Sequence, residues 1–135
     1  MSSKKLEIVK SLVDEVFIKD NPDYMNEICT EDMESHFIID ELDIHDVEGI
    51  KTLNAILNQC FSDLKVEIED LFAEKNKVLL VLKFTGKHDK ECFLGMEPKG
   101  KNIEFLTYDI FYFKGNLIYY NRGITDVIHK LDMLE

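Results

Sequence analysis

Residues 102–126 constrain the fold more than any other part of this sequence. Two runs rich in aromatic and β-branched residues, 103–113 and 117–124, flank the turn-forming Lys114-Gly115-Asn116. Such residues fit the pleated, half-buried surface of a sheet, and Gly beside Asn is typical of a hairpin turn. We therefore predict two long antiparallel strands here. A few polar residues interrupt the apolar pattern and are the first candidates for function: Asp109, Asn121, Arg122 and Asp126.

Upstream of this hairpin, the spacing of apolar residues predicts helices. From Leu6 to Phe17 they recur at three- and four-residue steps, as they do in residues 46–61 after Asp46, a favoured N-cap residue. Asn21-Pro22 predicts the start of a short second helix, with Asn as N-cap and Pro at the first helical position. The acidic segment 33–45 is irregular, and we interpret it as a short strand or an extended crossover.

Downstream of residue 62 the apolar spacing changes to two, which indicates strands. Leu64 to Ile68 alternate with charged residues, residues 78–82 are an unbroken apolar run typical of a central strand, and residues 92–94 form a shorter apolar run. Residues 127–131 predict a final helical turn. Helices followed by antiparallel strands predict an α+β fold, with three N-terminal helices packed on one curved, mainly antiparallel sheet.

Length and composition limit the classes of function. With 135 residues the chain suits a single domain, residues 1–135, and its net charge of −11 argues against nucleic acids and anionic membranes as partners. No apolar run approaches the roughly 20 residues of a membrane span. Its three cysteines have no metal-ligand spacing, which favours a reducing cytoplasmic location. No metal constellation is apparent, and we expect no cofactor.

The predicted hairpin is aromatic on both faces, which bears on assembly. The helices can cover one face, and no helix remains for the other. Monomeric proteins rarely expose apolar patches larger than a few hundred Å². We therefore expect a homodimer in which the outer face of strands 103–113 and 117–124 packs against the same face of a second copy.

Several short motifs, taken in order, resemble the SnoaL-like polyketide cyclases of the nuclear transport factor 2-like superfamily. The resemblance covers the chain from His36 onward. Its motifs are His36 before an acidic loop, Glu48-Gly49-Ile50, Phe61-Ser62-Asp63-Leu64, Thr85-Gly86-Lys87-His88, the loop from Gly95 to Lys101, and Asp126. The resemblance implies a cone-shaped barrel, often dimeric, that encloses an apolar pocket for a small molecule.

The sequence also departs from the family pattern. Arg122 stands where the family usually has tryptophan, Tyr120 where it has glutamate, and Lys130-Leu131-Asp132 replaces a C-terminal Gln-Leu-Gly. The strand of residues 103–113 lacks the histidine of the characterised cyclases. These departures leave the fold in place and put the substrate in doubt.

The resemblance implies that Asp126 is the acid/base residue of the site. A carboxylate at the end of a long strand, in a cavity lined by Phe17, Tyr112 and Ile124, would have a raised pKa suited to removing a proton next to a carbonyl. Asp is also a favoured N-cap, so Asp126 could instead begin a helix. His36 and Tyr112 are the further catalytic candidates, as proton shuttle and as donor to an enolate oxygen.

The ligand-binding candidates are the large or charged residues expected around that pocket: Phe17, Tyr108, Tyr120, Arg122, Ile124 and His88. For His88 a bond to loop backbone is the favoured alternative. Arg122 could pair with a ligand carboxylate or with Asp126, and the second pairing would lower the Asp126 pKa. Two hypotheses stay open: a cofactor-free cyclase or isomerase, and a non-catalytic module that binds a small apolar molecule or dimerises.

Overall fold

The computed structural model describes residues 3–39 and 42–133, which form helices on one side of a curved sheet. The helices are α1 (Ser3–Leu12), which continues into a π-helix (Val13–Ile18), a 3₁₀ turn (Pro22–Tyr24), α2 (Met25–Ile28), α3 (Val47–Cys60) and α4 (Val127–Asp132). The strands are β1 (Cys29–Ile39), β2 (Leu42–Ile44), β3 (Phe61–Glu74), β4 (Lys77–His88), β5 (Lys101–Lys114) and β6 (Leu117–Thr125).

These six strands form one sheet in the order β2-β1-β6-β5-β4-β3. All neighbours are antiparallel except β1 and β6, which run parallel. The predicted hairpin of residues 102–126 is confirmed as β5 and β6, with Gly115 at a φ of 59° in the turn between them. Glycine adopts this left-handed conformation without steric cost. The predicted curved, mainly antiparallel sheet is confirmed, and it is open, with edges at β2 and β3.

Strict alternation along β5 divides the sheet into an inner and an outer face. The residues of β5 that point to the helices are all buried: Ile103, Phe105, Thr107, Asp109, Phe111 and Phe113. They join the core formed by Val9, Leu12 and Val16 of the N-terminal helix and by Leu57 of α3. The outer face carries the intervening residues, from Leu106 to Tyr112, and here Tyr108 is 44% exposed.

Most predicted elements are confirmed, and the differences lie in segment 33–45, at residues 92–94 and in the number of helices. Segment 33–45 contains most of β1 and all of β2, with residues 40 and 41 outside the described part of the chain. Alternating burial along β1 explains why charged residues occupy its exposed positions. The short strand predicted at residues 92–94 is only a bridge from Phe93 to Met96. Within residues 3–39 and 42–133 there are four α-helices: α1, α2 and α3 precede β3, and α4 follows β6, where the sequence predicts a final helical turn. The predicted arrangement of three N-terminal helices therefore matches the fold only in part.

The two predicted helix N-caps have different outcomes. Asp46 accepts a hydrogen bond from Gly49 N at 2.8 Å and caps α3, as predicted. Asn21 precedes Pro22 at the start of the 3₁₀ turn, but its side chain makes no capping bond. None of the helices within residues 3–39 and 42–133 has the length and apolar character needed to cross a bilayer.

Replacing Asp46 with alanine should lower the free energy of unfolding by about 1 kcal/mol, because α3 loses its side-chain cap. Asp46→Asn keeps an acceptor oxygen and should lose only a few tenths of that amount. Urea denaturation of both variants measures the difference. Equal losses in the two variants would show that the charge of Asp46, rather than its hydrogen bond to Gly49 N, stabilises α3.

Candidate active site

A cavity of about 70 Å³ lies between the inner face of the sheet and the helices. Most of its wall is apolar, with contributions from the π-helix, α2, α3 and four of the strands, β1, β4, β5 and β6. Its apolar lining residues are Leu12, Val16, Phe17, Met25, Phe37, Ile39, Ile50, Leu53, Leu57, Leu80, Phe84, Phe93, Phe105, Phe111 and Val127. Five polar residues also line it: Asn54, Thr107, Asp109, Asn121 and Thr125.

Asp109 is the carboxylic acid in this cavity. It projects from the middle of β5 and is buried. Burial in apolar surroundings disfavours the charged carboxylate and raises the pKa of Asp109 to about 7, although a hydrogen bond from Asn121 opposes the shift. Near neutral pH this group therefore exchanges a proton readily, as a general acid or base must.

The register of three strands makes room for this carboxyl group. Gly123 of β6 is the Cα partner of Asp109 in β5 and of Phe37 in β1. A Cβ atom at position 123 would collide with Asp109 Oδ1 and with the ring of Phe37. Any residue larger than glycine would therefore displace the carboxyl or the ring that packs beside it.

A chain of buried polar side chains orients Asp109. Ser35 Oγ donates to Asn121 Oδ1 at 2.9 Å, and Asn121 Nδ2 donates to Asp109 Oδ1 at 3.2 Å and to the Ile110 carbonyl oxygen at 3.3 Å. Because Ser35 and the Ile110 carbonyl fix the amide orientation, Asn121 presents its donor side to Asp109. Ser35 and Asn121 are both buried, so these bonds are shielded from competing water.

Thr107 gives the cavity an unused hydrogen-bonding group. It lies on the same face of β5 as Asp109, and its Oγ1 is buried without a hydrogen-bond partner. An unsatisfied buried hydroxyl costs about 1–3 kcal/mol, so a ligand oxygen at this point would be favoured. Thr125 differs, because its hydroxyl already donates to the Leu106 carbonyl oxygen at 2.9 Å.

The π-helix and α3 mark where the cavity approaches the surface. Phe17 of the π-helix and Ile50 and Leu53 of α3 are half-buried lining residues. The Phe17 ring packs edge-on against Phe84, with centroids 5.6 Å apart. A π-helix is uncommon and occurs often at functional sites. Here it brings Phe17 over the cavity.

Asp126 does not line this cavity, so its predicted placement is wrong. Its carboxylate accepts a hydrogen bond from Leu106 N at 2.8 Å, and its own N–H donates to the Leu106 carbonyl oxygen at 3.3 Å. The backbone leaves the strand at Asp126 and turns the side chain back onto β5. Asp126 also precedes α4 without making a side-chain cap bond.

Most of the other predicted site residues also lie outside the cavity. Phe17 lines it, whereas the outer face of the sheet carries His36, Tyr108, Tyr112, Tyr120, Arg122 and Ile124. The inner and outer faces alternate along each strand, so an even-numbered residue of β5 cannot share a cavity with Asp109. The buried ring of His88 packs on Phe61, and its Nε2 lies 2.8 Å from the Glu91 carbonyl oxygen. This is the backbone bond favoured for it above.

The alternation along β5 predicts that Asp109 is buried, whereas the family resemblance favoured Asp126 as the acid of the site. Asp109 has the same parity as Phe105 and Phe111, so a single strand with one buried face puts all three on the inner side. An acidic residue at one of these inward-facing positions must be buried if the segment is a strand. The structure also brings together a cluster that the sequence did not indicate: His36, Asp43 and His45.

Comparison with known proteins agrees with this architecture. The family model described as SnoaL-like polyketide cyclase matches residues 7–132. The chain belongs to this family. No curated protein matches the chain significantly.

Solved structures of SnoaL-like proteins share the nuclear transport factor 2-like fold. A protein from Jannaschia sp. CCS1, named a SnoaL-like polyketide cyclase, has a TM-score of 0.79 and 25% identity over 94% of this chain and 88% of that chain. A polyketide cyclase by name from Acidithiobacillus ferrooxidans has a TM-score of 0.75 and 27% identity over 99% and 96%. IdmH from Streptomyces antibioticus, also named a polyketide cyclase, has a TM-score of 0.80 at 20% identity over 96% and 97%, which supports the fold alone.

The raised pKa of Asp109 predicts a specific dependence of stability on pH. Between pH 4 and pH 7 the folded state keeps a proton on Asp109 that the unfolded chain, with its ordinary pKa of 3.8, has lost. The contribution of Asp109 to the free energy of unfolding is therefore greatest below pH 4. It falls by up to about 4 kcal/mol as the pH rises to about 7. Asp109→Asn cannot titrate. We expect the stability of this variant relative to the wild type to rise over that range and to level off above it.

Denaturant melts of both proteins between pH 4 and pH 8 measure this difference directly. Asp132→Asn, an exposed carboxyl in the last turn of α4, serves as the control and should give a flat difference. A flat difference for Asp109→Asn as well would mean that its pKa is not raised.

Proposed function

We propose that this protein is a cofactor-free enzyme that transfers a proton at a carbon next to a carbonyl group. The observation that carries the proposal is a carboxylic acid with a pKa of about 7, Asp109, in an otherwise largely apolar cavity. A base with this pKa is available at neutral pH and returns the proton as readily as it takes it. Membership of the SnoaL-like polyketide cyclase family is consistent with this class of reaction.

The reaction begins with Asp109 ionised. Its carboxylate takes a proton from the carbon next to the substrate carbonyl, and the electron pair of the broken C–H bond forms an enolate. In an isomerisation the enolate takes this proton back at another carbon. In a ring closure the enolate carbon attacks a second carbonyl of the same substrate, and Asp109 donates its proton to the new alkoxide. Asp109 ends ionised in both cases, so no other reagent is needed.

Thr107 is suited to stabilise the enolate oxygen. Its unpartnered hydroxyl and the Asp109 carboxyl lie on one face of β5, two residues apart, a distance of roughly 6.5–7 Å along a strand. A substrate carbonyl that accepts from Thr107 would hold its neighbouring carbon nearer to Asp109. A hydrogen bond that strengthens as charge develops on the oxygen lowers the barrier.

The size of the cavity limits the substrate. Its volume of about 70 Å³ is less than half of the roughly 150 Å³ of an engineered cavity that binds benzene. A substrate larger than a few non-hydrogen atoms must therefore displace part of the wall. Phe17 is the best-placed element to move, because it is half-buried and lies on the π-helix.

Exchange of carbon-bound hydrogen in D₂O tests the proposal without knowledge of the natural substrate. With 2-butanone and cyclopentanone as probes, followed by NMR, the wild type should catalyse exchange at a rate that rises with pH through about 7. Asp109→Asn should lower the rate at least 100-fold, as loss of a general base does. Thr107→Val should lower it about tenfold or more. Both variants should bind the probes within tenfold of the wild type.

Asp126→Asn is the matched comparison, since Asp126 is the acid favoured by the family resemblance. Loss of exchange in Asp126→Asn with retention in Asp109→Asn would overturn the proposal and restore Asp126 as the base. Probe binding without exchange in the wild type would favour the alternative function, a non-catalytic module that binds a small apolar molecule. The exposed outer face of β5 and β6 supports the other form of this alternative, a module that dimerises.

We also propose that the protein is a homodimer formed through the outer face of β5 and β6. This face carries Tyr108 and Ile124, which are 44% and 55% exposed, beside the half-buried Leu79 and Ile110. The helices cover the inner face of the sheet. The edge strands β2 and β3 belong to the same sheet, so they leave its outer face uncovered. A second copy presents the same apolar face and would bury both through a twofold contact.

Tyr108→Glu should convert the dimer into a monomer, because two desolvated carboxylates would face each other across the twofold contact. Sedimentation at micromolar concentration should give twice the chain mass of 15.8 kDa for the wild type and the single mass for the variant. Met133→Glu, at an exposed apolar residue that follows α4, is the control and should stay dimeric. A monomeric wild type would refute this assembly.

The free thiols support a cytoplasmic location, which we propose as the site of action. Cys29 and Cys60 are buried and Cys92 is exposed, all as free cysteines. Burial raises the pKa of the Cys29 thiol to about 12, so this side chain is inert packing. An exposed free thiol such as Cys92 suits a reducing compartment.

A further inference from the structure

Three side chains with metal-binding atoms converge on the outer side of the β1–β2 hairpin, away from the cavity. His36 lies on β1, Asp43 on β2 and His45 directly after β2. One donor atom of each lies within 4.8 Å of the other two. The proposed proton transfer uses none of these residues.

Strand register brings the three together. Phe37 pairs with Ile44 and Ile38 with Asp43, and Ser35 N donates to the His45 carbonyl oxygen at 2.9 Å, so the chain stays beside β1 past the end of β2. The rings of His36 and His45 lie edge-on to each other, with centroids 6.4 Å apart. Asp43 lies two residues before His45, and its carboxylate approaches both imidazoles.

The distances suit a shared ion. His36 Nδ1 lies 3.0 Å from Asp43 Oδ2, and His45 Nδ1 lies 3.7 Å from the same oxygen. Ligands about 2.05 Å from a tetrahedral metal are about 3.3 Å from one another. Both measured separations are within half an ångström of that value, so small rotations of exposed side chains would complete the geometry.

We infer that His36, Asp43 and His45 form a binding site for a transition-metal dication such as Zn²⁺. Two imidazoles and one carboxylate favour Zn²⁺, Ni²⁺ or Cu²⁺ over Mg²⁺ and Ca²⁺, which prefer all-oxygen sites. Three protein ligands leave at least one position for water. The ion would tie the edge strand β2 to β1.

One nearby charge opposes binding. Arg122 is the Cα partner of His36 on the neighbouring strand β6. Its effect is limited, because water at an exposed surface weakens the interaction between charges. The net charge of the chain, −11, acts in the opposite direction by attracting cations.

Calorimetric titration with Zn²⁺ and absorption spectra with Co²⁺ test this inference. Both use the full chain carrying Cys92→Ser, which removes the exposed thiol as a competing ligand. We expect one ion per chain, and at least tenfold weaker binding in His36→Ala, Asp43→Asn and His45→Ala. The double variant His36→Ala/His45→Ala should lose saturable binding. His129→Ala, an exposed histidine on α4, should bind like the parent protein.

Thermal unfolding gives a second readout, since an ion that binds only the folded state raises the Tm. Zn²⁺ should raise the Tm of the parent protein and leave that of the double variant unchanged. The inference is overturned if the parent protein shows no saturable binding, or if the double variant binds with the same affinity. Circular dichroism verifies that the variants are folded, as expected for three residues on the outer surface.

Discussion

Burial of the Asp109 carboxyl is the constraint on which the rest of this site depends. Desolvation makes a carboxylate in an apolar cavity unfavourable. One hydrogen bond from Asn121 reduces this desolvation cost, and Gly123 leaves space for the group. One hydrogen bond does not replace the hydration that the ionised group loses. The pKa consequently rises to about 7, and the same imbalance that costs stability at neutral pH makes the group chemically useful.

The two faces of the sheet carry different features. Residues of one parity on β5 build the cavity, whereas their neighbours form an apolar outer surface with Tyr108 at its centre. His36 and Tyr112, which were predicted from the sequence as catalytic residues, lie on that outer surface. This separation would allow the proposed metal site and subunit contact on the outer face to coexist with the proposed proton transfer on the inner face, because the sheet itself lies between them.

Prediction from the sequence succeeded where the signal was local. The cap at Asp46, the β5–β6 hairpin and the apolar strand β4 each depend on spacing or turn chemistry within a few residues. Prediction was incomplete at β1, where charged residues at the exposed positions obscure the alternation, so a short strand or an extended crossover was predicted in place of a long strand. It failed at Asp126, where a motif gave the position of an acid in the chain but not the direction of its side chain.

The sequence by itself determined the class of fold, the family and the parity of Asp109 on its strand. Those follow from hydrophobic period, motif order and the alternation of side chains, all of which are properties of short segments. Only the tertiary structure decided which acid is buried, because burial depends on the parallel pairing of β1 with β6 and on Gly123 facing both Asp109 and Phe37. The pKa of a carboxyl group is set by surroundings drawn from distant parts of the chain, and no short-range pattern encodes them.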